Sequence, residues 1–178
     1  TDKVPFGFLG EIVDKILGGR LVKQRIDRMF KAREIRLQRD LQAHEKYRSI
    51  PRKKILIAGS SGLIGTQMVA FLDTGGHDVY RLVRRKVEND FEIEWDPDNG
   101  VINAKEIEGF DAVIHLGGEG IGDKRWSKKR KEKILTSRTG STALLAKTLS
   151  QIDDPPEVFM VASAVGYYGH SQEENLTE

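Results

Sequence analysis

Cysteine is absent from the 178 residues, which removes disulfide frameworks, thiolate zinc sites and cysteine nucleophiles. Metal ligands are little better supplied. The four histidines (His44, His77, His115, His170) are far apart, and none pairs with another at ligand spacing. No stretch approaches the ~18 consecutive apolar residues of a membrane span, and no charged, apolar and small-residue leader opens the chain. A hydrophobic content of 38% beside 31% charged residues then describes a polar globular chain, expected in the cytoplasm. A start at Thr1 and a turn-like end at Glu178 read as a piece of a longer protein.

Net charge is also nearly absent, at +2, but the balance hides a split. Residues 1–54 hold 15 Lys/Arg against 7 Asp/Glu, and residues 55–178 hold 14 against 20. A basic arm can bind nucleic acid. Here the cations alternate with Asp14, Asp27, Glu34, Asp40 and Glu45 and with apolar residues at helical spacing, so a solvated helix face is the reading, with no nucleic-acid partner. The run Lys128-Lys129-Arg130-Lys131 opens a later helix and reads the same way.

The organisation divides at about residue 50. Val22, Ile26, Met29, Phe30, Leu37 and Leu41 share one stripe, predicting a helix of about 28 residues after Gly18-Gly19, roughly 40 Å long at 1.5 Å per residue. Ser49-Ile50-Pro51 ends it, because a residue before proline is pushed out of the helical region. The uncovered stripe is expected to drive self-association or to splay from the rest. From Lys53 the texture changes. Lys54–Ala58, Asp78–Val83, Phe91–Trp95, Asp111–Leu116 and Val158–Ala162 read as strands. Leu63–Leu72 and a segment capped by Ser127 and running to about Ser150 read as helices, and Asp98-Asn99-Gly100 as a turn. Alternation of strands and helices predicts an α/β fold, a partial doubly wound parallel sheet preceded by a long amphipathic helix.

The sharpest motif is Gly59-Ser60-Ser61-Gly62-Leu63-Ile64-Gly65, between a strand and a helix. Gly59 makes the tight turn, Gly62 admits a pyrophosphate to the backbone, and Gly65 lets helix and strand pack closely. The phosphates would face free N–H groups at the positive end of the helix. No Gly-Lys-Ser/Thr follows, which excludes a Walker loop. After the second strand, where an NAD site carries a carboxylate for the ribose 2′-OH, stand Arg84-Arg85-Lys86. A guanidinium grips a 2′-phosphate that a carboxylate would repel, so NADP(H) is the expected cofactor and Arg84 the first choice for that contact.

The glycine spacing resembles the short-chain dehydrogenase/reductase superfamily. Trp95-Asp96-Pro97, Asp111 to Glu119, Asp123-Lys124-Arg125-Trp126, Ser137-Arg138 and Ser163 to Gly169 are similar to its atypical, epimerase-like branch, over residues 53–178. That resemblance implies the N-terminal part of an NADP-binding Rossmann domain, with Leu116, Gly117 and Gly118 along the cofactor. The substrate would be a small hydroxy- or keto-bearing or sugar-nucleotide-like molecule. It places Ser163 and Tyr167 as catalytic candidates, although the usual serine position aligns with Ala164. No tyrosine has lysine four residues on, so the proton-transfer pair of the superfamily lies beyond Glu178 or the branch lacks it. A non-catalytic dinucleotide sensor is the alternative. Glu119 either contacts substrate or stabilises its loop, Trp126 either lines the cleft or packs, and His115 is expected to be buried with one ring nitrogen satisfied. Within residues 1–50, Pro5-Phe6-Gly7, Leu9-Gly10, Met29-Phe30, Arg33 and Asp40-Leu41 resemble the C-terminal helix of the START-like (polyketide cyclase) fold, in which such a helix closes a sheet over an apolar ligand.

Overall fold

The computed structural model describes residues 19–122 and 124–163, and it divides into two compact units, residues 1–50 and 51–178. In the first unit the described residues form the helix α1 (Gly19–Lys46), with the 28 residues expected of it. His44 and Lys46 occupy its last turn, where cations favour the negative end of the helix dipole. Its stripe is open to solvent: Ile26, Met29, Phe30, Leu37 and Leu41 are all exposed. Residues 1–18, with Pro5-Phe6-Gly7 and Leu9-Gly10 of the START-like motif, lie outside the described part.

The second unit is built on a six-stranded sheet. Its elements are β1 (Lys54–Ala58), α2 (Leu63–Thr74), β2 (Asp78–Val83), β3 (Glu92–Asp96), β4 (Val101–Ile102), β5 (Ala112–His115), α3 (Lys128–Leu149) and β6 (Val158–Val161). The spatial order is β4-β3-β2-β1-β5-β6, parallel throughout except where β4 folds back antiparallel on β3. The turn expected at Asp98-Asn99-Gly100 makes that reversal, with Gly100 at φ +70°. The two-residue β4 is an addition to the sequence-based expectation, too short to carry its own alternation.

β1 is buried almost end to end, as a central parallel strand should be, and its side chains alternate between two cores. Leu56 and Ala58 join Leu82, Trp95, Val113 and, from α3, Leu145 and Leu149. Ile55 and Ile57 join Val79, Ile114 and, from α2, Val69. Helices therefore cover both faces, and each fully buried aliphatic side chain stabilises the sandwich by about 1.5–3 kcal/mol. At the amino ends of the strands Asp111 ties β1 to β5: Lys53 Nζ and the Lys54 amide donate to its two oxygens, both at 2.7 Å.

The chain runs outward from β1 through β2 and β3, then returns to lay β5 and β6 on the other side of β1. The order reverses between β1 and β5, and ligands of open α/β sheets bind at the carboxyl ends of the strands flanking such a reversal.

Candidate functional site

A cleft of about 920 Å³ opens at those carboxyl ends, near the top of the roughly 300–1,000 Å³ usual for small-molecule sites. Its floor is the glycine loop after β1. Gly59 sits at φ +82°, and a Cβ there would fall 2.7 Å from the Gly117 nitrogen and the Leu116 carbonyl carbon. A Cβ on Gly65 would lie 2.2 Å from the Gly59 oxygen. The fold itself demands both glycines. Gly62 differs: its backbone is extended, and a Cβ would meet only the Gly59 oxygen, at 3.3 Å. Among the described residues nothing else stands within 4 Å of that position.

The start of α2 points the same way. It has no side-chain cap and no acidic residue in its first turn, whereas α3 is capped by Ser127, whose hydroxyl accepts from the Arg130 amide. Leu63 and Ile64 are 88% and 63% exposed in this turn. Uncapped N–H groups beside exposed apolar side chains suit an anion with an apolar or aromatic body.

Beyond the end of β2 the two arginines part. Arg85 Nη1 and Nη2 donate to the two carboxylate oxygens of Glu92 at 2.8 and 2.7 Å, and the Glu88 amide donates to the same carboxylate at 2.9 Å. The Glu92 side chain is only 2% exposed. Its carboxyl group is lowered to about 2, first by the Arg85 hydrogen bonds and then by the Glu88 amide. Arg84 lines the cleft and has no hydrogen bond or close ion pair among the described residues. Asp96, held below the usual carboxylate range mainly by Asn99, and Glu119, held there mainly by Arg130, both also feel the Arg84 charge.

On the β5 side the cleft is walled by His115, Leu116, Gly117 and Gly118. His115 is buried, with both ring nitrogens engaged rather than one. Nε2 lies 2.8 Å from Ser141 Oγ, and Nδ1 accepts from the Gly117 amide at 3.4 Å. Because Ser141 Oγ donates to the Ser137 carbonyl at 2.6 Å, the arrangement suits a neutral ring protonated on Nε2. The space beside Gly117 and Gly118 is filled by the His115 ring and the Arg138 guanidinium, which gives these glycines an internal reason as well as an expected ligand.

Burial lowers the His115 pKa, so the folded state resists a proton that the unfolded chain accepts near 6.5. Stability should therefore fall as the pH drops through and below 6.5, by up to ~1.4 kcal/mol per pH unit for one proton. Urea midpoints at pH 7.5 and 5.5 should differ more for the native protein than for His115→Gln; equal differences would remove His115 from the acid response.

The comparisons with known proteins agree with this geometry. The profile of the NAD dependent epimerase/dehydratase family matches residues 55–178. The chain belongs to this family. Its matched part is an NAD(P)-binding domain of the epimerase, short-chain dehydrogenase/reductase type of family. Epimerase family protein ML0860 of Mycobacterium leprae is 37% identical over 124 residues, covering 70% of this chain and 40% of that protein. The solved nucleoside-diphosphate sugar epimerase of Corynebacterium glutamicum is 31% identical with a TM-score of 0.66, covering 83% of this chain and 31% of the other. That share exceeds residues 51–178, so the match takes in part of the segment before Pro51. Human epimerase family protein SDR39U1, solved with NADPH, is 30% identical with a TM-score of 0.58, covering 66% of this chain and 39% of the other. The chain thus spans about 40% of the length of the curated relatives it matches.

The remaining candidates are placed as follows. Ser163 is exposed two residues past β6, at the same end of the sheet as the glycine loop. Tyr167 and Ala164 lie outside the described residues. Glu119 stabilises its loop: Arg130 donates to its carboxylate and to the Gly120 carbonyl, Lys133 stands 3.9 Å away, and Ser137 Oγ accepts from its amide. Trp126 does not pack. It is 54% exposed, its indole N–H donates to the Ile121 carbonyl at 2.8 Å, and it stands apart from the residues lining the cleft. Sequence reasoning missed Glu92 and Ser141. Ser141 carried a faint signal, four residues after Ser137 on the same face of α3. Glu92 carried none, because its partner is seven residues back across a loop.

Proposed function

We propose that the chain holds NADP(H) across the β1–β5 reversal, within an oxidoreductase or epimerase that acts on a small hydroxy- or keto-bearing or sugar-nucleotide-like substrate. The observation that carries this reading lies after β2: Arg84 and Arg85 both line the cleft, but Glu92 pairs with Arg85, while Arg84 has no close partner among the described residues. The human relative solved with NADPH supports it. Gly59 to Gly65 would take the pyrophosphate, Arg84 the 2′-phosphate, and Leu116 to Gly118 would border the rest of the dinucleotide. When bound, the nicotinamide would supply hydride transfer. Ser163, and Tyr167 in the following segment, are the candidates on this chain to hold or move a proton at their hydroxyl oxygens. A cytoplasmic setting goes with this reading.

NADPH should bind more tightly than NADH in fluorescence titration. Arg84→Ala should remove most of the difference, about tenfold or more for one charge-assisted contact. Equal or tighter NADH binding by the native protein would sink the assignment.

A dinucleotide-sensing role is the second reading: a Tyr-x-x-x-Lys pair downstream of Glu178 would favour the enzyme, and its absence there the sensor. Turnover of a carbonyl substrate by the full-length protein separates the two. For residues 1–50 we keep the START-like reading as a proposal, carried by the sequence motif alone, of which Met29-Phe30, Arg33 and Asp40-Leu41 lie on α1.

A further inference from the structure

We propose that Glu92, acting through Arg85, is the positioning residue that sets the NADP(H) selectivity of the cleft. The inference rests on the NADP(H) reading above and deepens it. Eight consecutive exposed residues, 84–91, join β2 to β3. Within that loop Asn89 makes a local turn, its side-chain oxygen and carbonyl accepting from the Phe91 and Glu92 amides. At the end of the loop Phe91 is held by β2, its carbonyl accepting from the Arg81 amide at 2.9 Å and its ring standing 5.3 Å from that of Tyr80. The middle of the loop, Arg85 to Glu88, is tied to the buried part of the unit by the Glu92 carboxylate.

That carboxylate sits at the first position of β3, in register with Arg81 of β2. Three hydrogen bonds converge on it, two from Arg85 and one from the Glu88 amide. Arg85 is held further by donating to the Lys86 carbonyl at 2.9 Å and standing 3.3 Å from Glu88. Burying a carboxylate is costly unless every lone pair is used, and an apolar side chain would fill the same space more cheaply. What the carboxylate adds is geometry. It occupies the guanidinium of one of two adjacent cleft-lining cations and fixes the backbone on both sides of Lys86. Arg84, immediately before the clamped residue, then has a defined starting point from which to reach the cleft.

The consequence is specific to one cofactor. NADH has a hydroxyl where NADPH has a phosphate, and it gains little from a well-placed guanidinium. A loosened loop therefore weakens NADPH binding selectively, whereas damage to the cleft as a whole weakens both.

The test is calorimetric titration of NADPH and NADH against the native protein, Glu92→Gln, Arg85→Gln, Arg84→Ala and the double variant Arg84→Ala/Glu92→Gln. Glutamine keeps the size of Glu92 but cannot accept a bidentate charged pair. Glu92→Gln and Arg85→Gln should each weaken NADPH about tenfold and move NADH less than about twofold. In the Arg84→Ala background, Glu92→Gln should cost NADPH nothing further, since the contact it positions is gone. NADH binding reports that each variant has folded, and if either single variant fails to fold, the double variant Arg85→Gln/Glu92→Gln breaks the clamp leaving neither a free cation nor an unpaired buried carboxylate. Unchanged or tighter NADPH binding in Glu92→Gln would overturn the proposal, tighter binding meaning that released Arg85 joins the grip. Parallel loss of both cofactors, with the native far-UV spectrum retained, would also overturn it. Equal or tighter NADH binding by the native protein fails the NADP(H) reading, whatever Glu92 does, whereas an Arg84→Ala variant that still prefers NADPH overturns the Arg84 contact that Glu92 is held to position.

Discussion

Gly62→Val is expected to lower dinucleotide affinity at least about 100-fold while the domain still folds, because two lost charge-assisted hydrogen bonds account for that much. In the unliganded protein Gly62 has φ −74° and ψ 173°, an extended conformation that any residue adopts. A Cβ would press only on the Gly59 oxygen at 3.3 Å, a contact relieved by a shift of a few tenths of an ångström. Valine is a poor helix N-cap, but replacing a glycine that caps with backbone alone costs only about 1 kcal/mol. Its methyl groups would, however, stand over the uncapped first turn of α2, where a pyrophosphate needs backbone N–H groups within hydrogen-bond reach. Calorimetry with NADPH, paired with thermal unfolding, measures both halves of the expectation. Normal affinity in a folded Gly62→Val protein would mean that the loop had been misread as a phosphate cradle.

How far the sequence reached depends on the range of each interaction. β1 and β2 were legible to the residue, α1 in its length of about 28 residues, and β3, β5, β6, α2 and α3 to within two, because each is announced by local pattern and bounded by Gly, Pro or Ser. Both ends of α3 were visible because Ser127 makes the expected cap. β4 was not, since two residues cannot show a period and its pairing with β3 depends on the twist of the turn between them. The glycine loop was legible because its chemistry is contiguous in sequence. The roles of Glu92, Ser141 and Arg130 were not, because their partners lie 7, 26 and 11 residues away. Trp126 shows the same limit from the other side. An aromatic residue next to an amphipathic helix looks like core, yet its indole N–H is spent on a neighbouring loop carbonyl and its ring stays open to solvent.

Gly65→Ala should lower stability, although the same change in an ordinary helix raises it. Alanine exceeds glycine in helix propensity by about 1 kcal/mol, so an unconstrained site in a helix gains from the substitution. Gly140 is such a site: it lies within α3, is exposed, and has no atom within 4 Å of its would-be Cβ. Gly65 is buried in the first turn of α2, and its would-be Cβ falls 2.2 Å from the Gly59 oxygen and 2.7 Å from Ser60 Cα. Both obstacles are backbone, so no side chain can swing aside. Nor can Gly59 retreat, since a positive φ and the Gly117 backbone already fix it against β5. The helix must move instead, and in moving it draws Val69 away from Ile55, Ile57 and Ile114. Overpacking of this kind costs about 3 kcal/mol, well above the propensity gain. The melting temperature of Gly65→Ala should fall by about 10 °C, while that of Gly140→Ala should stay level or rise by a few degrees. A Gly65→Ala protein as stable as the native one would show that α2 and β1 are not in the close contact on which the phosphate loop depends.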